Sequence, residues 1–361
     1  MIRILLSILL FIPSIASASD WTLPSDFAEN TTAYPLADSL PVVTTPGALT
    51  TAARIQMGGA YHLANDIYAR ADGFAIEADN VSIDLRGHKI VYAGEALNRS
   101  YGIAIPAHYE RLDYFPRGYV EPGGATNTTI TDTVGGGKIV KATNMAIGCS
   151  GIFGYTLSSG LTVSNIEINH SGIDASGIEL MYFYGAVSIT GVTTNYDYVR
   201  DSVPIIDPAV LAHAPDNIST FYWVSNRHSG YVAGIKIANG NHTSLDISGN
   251  SINNSPQMGI YISDNVHMTP PSGARDAAFF DNPSAYAFKN RVSNNTVTMN
   301  AKATNCYGLT LSSDKTHAWG NVVSGYGAGI GLGSFYGYAH DNVVTVTQGA
   351  NPEYPERLWA H

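Results

Sequence analysis

Hydrophobic positions along the chain recur in short alternating phrases. "GIAI" at 102, "GIEL" at 177, "GIKI" at 234, "GIYI" at 259, "GLTL" at 308 and "GIGL" at 329 share one form. Each is a glycine followed by two apolar residues that flank a variable one. A second phrase follows most of them: "LDISGNSINNS", "RVSNNTVTMN", "AWGNVVSG" and "AHDNVVTVT". Alternation with period two predicts short strands with one buried face. The Gly and Asn clusters between them predict tight turns, because both residues accept positive φ. Few stretches carry the longer periodicity of an amphipathic helix.

The spacing of the phrases predicts a stacked architecture. From 234 to 259 is 25 residues, and from 308 to 329 is 21. The longer intervals, 177 to 234 and 259 to 308, are that period plus an insertion. A period in the low twenties built of short strands predicts a parallel β-solenoid, in which stacked coils share a core that no single coil can bury. Leucine-rich repeats are the rival at this length, but their Leu-dominated phrase with a fixed Asn is absent. The expected fold is all-β: a right-handed parallel β-helix, a single-stranded solenoid of about nine to eleven coils, with long inserted loops.

Composition agrees. Charged residues make up only 13% of the 361, too few for many solvated helices, while 36 glycines suit many turns. The first residues, "MIRILLSILLFIPSIASASDW", predict a signal peptide over 1–18, with Arg3 ahead of the apolar run Ile4 to Ile15 and cleavage after Ala18. That run is too short to span a bilayer, and no later segment is long enough. The expectation is a protein secreted or delivered to the periplasm, with no membrane span. Residues 19–57 are expected as a lead-in and cap, 58–349 as the β-helix, and 350–361 as a tail that covers the open end. The net charge of −10 argues against nucleic acid as a partner, which needs clustered Lys and Arg.

The stretch "YHLANDIYARADGFAIEADNVSIDLRGHKIVYAG" (61–94) resembles the entry coils of right-handed parallel β-helix proteins of the pectin-lyase-like class. The resemblance covers roughly 60–348. It implies the fold, with His88 a structural part of the entry phrase. It does not choose a function, since hydrolases, lyases, epimerases and adhesins share such coils. The N-x-D, D-D, G-H-G and R-x-K set of polygalacturonases is missing. So are the R-x-P-x-x-R of pectate lyases and the D-P-H-D of mannuronan epimerases.

The strand phase selects candidate chemistry. If Ile235 and Ile237 face the core, Lys236 faces out, and Glu179, Tyr261, Thr310 and Gly331 occupy the same outward position on their own coils. Adjacent parallel strands lie about 4.8 Å apart, so these residues form a column, with Lys236 expected at an exposed site. Three insertions flank it: 106–127 and 263–290 leave from one edge of the G-I-x-I face, and 196–231 arrives at the other. Loops of this length are usually functional, and these are rich in aromatic residues, His and Arg.

Lys236 has two readings: an exposed ion pair with Glu179 contributing about 0.2–1 kcal/mol, or a proton-transfer group. The resemblance supports the second, since uronate lyases of this fold commonly take the C5 proton with a basic residue on the helix face. Tyr261 is either its proton-transfer partner or a stacking surface for a sugar. Glu179 is a candidate hydrolase carboxylate that needs a second acid, with Asp264 first, then Asp201 and Asp207. Substrate contacts are expected from Arg200, Tyr222, Trp223, His228, Asp264, His267 and Arg275. The histidines have no metal-site spacing. No cofactor is implied, although Ser263-Asp264-Asn265 offers oxygens that suit Ca2+ as well as a turn. The expected partner is a polysaccharide or surface glycan. The function reading is lyase-like cleavage of a uronate-containing glycan, with a non-catalytic glycan-binding or adhesion solenoid as alternative and a glycosidase using Glu179 third. Cys149 and Cys306 should lie several coils apart, beyond the ~7 Å reach of a disulfide.

Overall fold

The computed structural model describes residues 40–94, 100–105, 125–142, 149–155, 158–172, 175–181, 183–196, 232–238, 241–255, 257–263, 282, 288–300, 307–326, 329–333 and 336–347. Among these residues every regular element is a strand. The strands form three sheets of ten, ten and nine members, and every pairing is parallel. From the strand Ala53–Ile55 onward the chain visits the sheets in strict rotation, first, second, third, first; the opening coil has strands only in the first two. This is a right-handed parallel β-helix of ten coils, the hand that right-twisted strands impose on parallel crossovers.

The G-I-x-I phrases are strands of the first sheet, for example Ile178–Met181, Ala233–Ala238 and Met258–Ser263. Their alternation holds in space: Ile178, Leu180, Ile235, Ile237, Ile260, Ile262, Leu309 and Leu311 all belong to one buried core. The glycine that opens each phrase answers a close approach between coils. A Cβ on Gly73 would meet the carbonyl oxygen of Gly102 at 2.5 Å, and a Cβ on Gly151 would meet that of Gly177 at 2.7 Å. Methyl groups of the third sheet press on the same points, Ile90 on Gly73 and Ile168 on Gly151. The glycine column is therefore the corner at which the third sheet hands the chain to the first.

The turn asparagines do more than permit tight bends. Asn250, Asn295, Asn321 and Asn342 stack one per coil. Each Nδ2 of the first three donates to the Oδ1 of the next at 2.8–2.9 Å and to a strand carbonyl at 2.9 Å. Each Oδ1 from Asn295 onward also accepts the backbone N–H of the previous asparagine. The ladder satisfies turn groups that the sheets leave unpaired.

A different polar column fills the corner between the third and first sheets. Tyr92 donates to the carbonyl of Cys149, Lys141 to that of Ser171, His170 to that of Ala175 and Tyr196 to that of Gly172. Tyr92 pairs in register with Lys141, and His170 with Tyr196. All four are buried. They replace apolar side chains where the corner carbonyls need donors. Cys149 is buried and forms no disulfide; Cys306 lies outside the described residues.

Candidate functional site

The outward column predicted from strand phase exists. Glu179 pairs in register with Lys236, Lys236 with Tyr261, Tyr261 with Thr310 and Thr310 with Gly331. Toward the N-terminus the same column continues through Phe153, Ala104 and Ala75.

Its exposure differs from the expectation. Lys236 is only 7% exposed and Glu179 6%, so the reading of Lys236 as a solvent-exposed position is corrected. Alternation along a strand decides which side of a sheet a residue takes, not whether water reaches that side. The outer face of the first sheet carries a second layer here. Tyr101 stacks on Phe153 with ring centroids 4.3 Å apart and planes within 9°. These two form a small outer cluster with Ala104.

Next along the column is a buried ionic group. Lys236 Nζ donates to Glu179 Oε1 at 2.8 Å, and Ser150 Oγ donates to Glu179 Oε2 at 2.7 Å. Both carboxylate oxygens are thus occupied. The pair belongs to the regime of buried salt bridges, where desolvation opposes attraction, and not to that of weak surface pairs. Tyr261, one coil further, is half-buried. Beyond it, the Oγ1 of Thr310 is buried and has no hydrogen-bond partner.

The chain matches no protein-family model, no curated protein and no solved structure. Of the proposed site residues, the fold brings Glu179, Lys236 and Tyr261 onto consecutive rungs. Arg200, Asp201, Asp207, Tyr222, Trp223, His228, Asp264, His267 and Arg275 lie outside the described residues. No helix among the described residues is long and apolar enough to cross a membrane.

Two groups escaped the sequence reading. Ser150 lies in the turn before the strand Ile152–Tyr155, and nothing local marks it as a partner of a residue 29 positions on. The second group is a set of rings on the outer face of the second sheet: His317 and Trp319 on one coil, Tyr338 and His340 on the next. Here a signal did exist. "HAW" and "YAH" are spaced by 21 residues, one coil, and alternate in phase.

Proposed function

We propose that this protein is an exported glycan-processing β-helix that acts on a uronate-containing polysaccharide by proton abstraction at the Glu179–Lys236–Tyr261 column. The observation that carries this reading is a buried, hydrogen-bonded charge pair on the outside of a solenoid sheet, beside a half-buried tyrosine. Outward positions of a β-helix are ordinarily solvated, and buried ionic groups gather where charge is put to use.

The pairing reassigns the roles within the column. Lys236, hydrogen-bonded to Glu179, suits the neutralisation of a uronate carboxylate, which acidifies the neighbouring C–H. Tyr261, in register with Lys236 on the next coil, is the group placed to move the proton. Glu179 holds Lys236 in place and is itself held by Ser150. The signal sequence and the resemblance of residues 61–94 to pectin-lyase-like entry coils are consistent with this reading.

One observation favours a second reading, a glycan-binding solenoid without catalysis: both oxygens of Glu179 are satisfied by the chain's own Lys236 and Ser150. A panel of uronate-rich and neutral polysaccharides separates the two. Wild type and Tyr261→Phe are assayed for unsaturated uronate and for reducing ends. Unsaturated product from wild type and its loss in the variant support the lyase. Reducing ends alone shift the chemistry to Glu179 as a hydrolase carboxylate. Binding without any product leaves the solenoid as a binder.

A further inference from the structure

The outer face of the second sheet carries a feature that a glycan-processing role leaves unexplained. His317 lies in the strand Thr316–Trp319 and His340 in the next coil's strand, Tyr338–His340. Their Nε2 atoms are 2.8 Å apart. His340 Nδ1 also lies 2.8 Å from the carboxylate of Asp341. A carboxylate accepts, so Nδ1 of His340 carries the proton and its Nε2 offers a lone pair. The hydrogen between the two rings then belongs to His317. Replacing that one hydrogen with a metal ion leaves two imidazole nitrogens aimed at a common point.

We propose that His317 and His340 form a binding site for a divalent transition-metal ion, Cu(II) or Zn(II), through their Nε2 atoms. Imidazole nitrogens suit these ions and not Mg2+ or Ca2+. Bonds of about 2.0–2.1 Å at a tetrahedral angle place two ligand nitrogens about 3.3 Å apart. The rings need to open by about 0.5 Å from their hydrogen-bonded distance to reach it. Asp341 is a positioning residue: it sets the tautomer of His340 and raises the basicity of its other nitrogen, as carboxylates commonly do behind metal-bound histidines.

The surroundings hold the ligands in place. Trp319 lies 4.2 Å from His317 by ring centroids, Phe288 4.7 Å from it, and Tyr338 5.0 Å from His340. Burial, then His340, then Arg291 hold the His317 pKa below its usual value. Arg291 sits one coil before His317, on the side away from the coil of His340. No third His, Cys, Asp or Glu converges with the pair among the described residues. Water or an incoming ligand therefore completes the coordination, and the site is an open one.

The test uses the full mature chain with CuSO4 and ZnSO4 as probes. Titration calorimetry, Cu(II) electron paramagnetic resonance and tryptophan fluorescence are read for wild type, His317→Gln, His340→Gln and Asp341→Asn. The chain has nine other histidines, so the difference between proteins is the signal. Expected are one Cu(II) with two-nitrogen coupling, at least a tenfold loss of affinity in each histidine variant, and a roughly tenfold loss in Asp341→Asn. Quenching of Trp319 should vanish with the histidines, and Zn(II) should compete it away. Affinity should fall from about pH 8 to about pH 5.5, as protons compete for the imidazoles. Equal affinity within twofold in wild type and His340→Gln, with the circular-dichroism spectrum unchanged, overturns the proposal. So does a copper spectrum that the His317→Gln change leaves unaltered.

Discussion

Replacing Asn295 with alanine tests the asparagine ladder at its centre. The side chain donates to the carbonyl of Ile247 and to Asn321 Oδ1, both at 2.9 Å. It accepts from the backbone N–H of Asn250 at 3.0 Å and from Asn250 Nδ2 at 2.9 Å. After truncation Asn321 Oδ1 still receives the N–H of residue 295, and Asn250 Nδ2 still reaches the carbonyl of Ile189. The Asn250 N–H loses its acceptor in a buried turn. That one orphan costs about 1–3 kcal/mol, and the remaining lost bonds add about 0.5–1.5 kcal/mol each. A total of about 2.5–7.5 kcal/mol is expected. Asn342 ends the ladder and is half-buried, so water replaces much of what Asn342→Ala removes, and about 1 kcal/mol is expected there. Urea unfolding followed by circular dichroism measures both, with the midpoint compared at constant m-value. A fall in m for Asn295→Ala would report that the coils no longer unfold together. Equal losses for the two variants, or a loss under about 1 kcal/mol at Asn295, would refute the ladder as a source of stability.

Two further outcomes are expected. Lys236→Met strands the Glu179 carboxylate and should cost about 3–5 kcal/mol, whereas the double change Glu179→Gln with Lys236→Met should lie within about 1 kcal/mol of wild type. Additive losses in this cycle would mean that the pair is not coupled. His170 is buried, and its pKa is lowered to about 4, chiefly by burial and further by Lys141 against the opposing bond to Ala175. Its folded value lies below the unfolded ~6.5, so only the unfolded chain takes up the proton between those values. Stability is therefore complete above about pH 6.5 and falls as pH drops toward 4. Between about pH 7 and pH 5, wild type should lose about 2 kcal/mol more than His170→Gln; parallel pH profiles for the two would contradict a neutral buried His170.

The period, the strand phase and the turn chemistry were legible in the sequence because a solenoid is nearly one-dimensional. Each coil contacts its neighbours at a fixed offset, so a repeat in sequence is a repeat in space. The register of Glu179, Lys236, Tyr261 and Thr310 followed from that alone. Long-range companions were not legible. Ser150 reaches Glu179, Tyr101 covers Phe153, and Lys141 bonds a corner carbonyl through choices made where the chain leaves the repeat. Local pattern assigns a side chain to a face. The water, charge or carbonyl it meets there depends on segments distant in sequence, and burial of the Glu179–Lys236 pair is decided only when those segments pack.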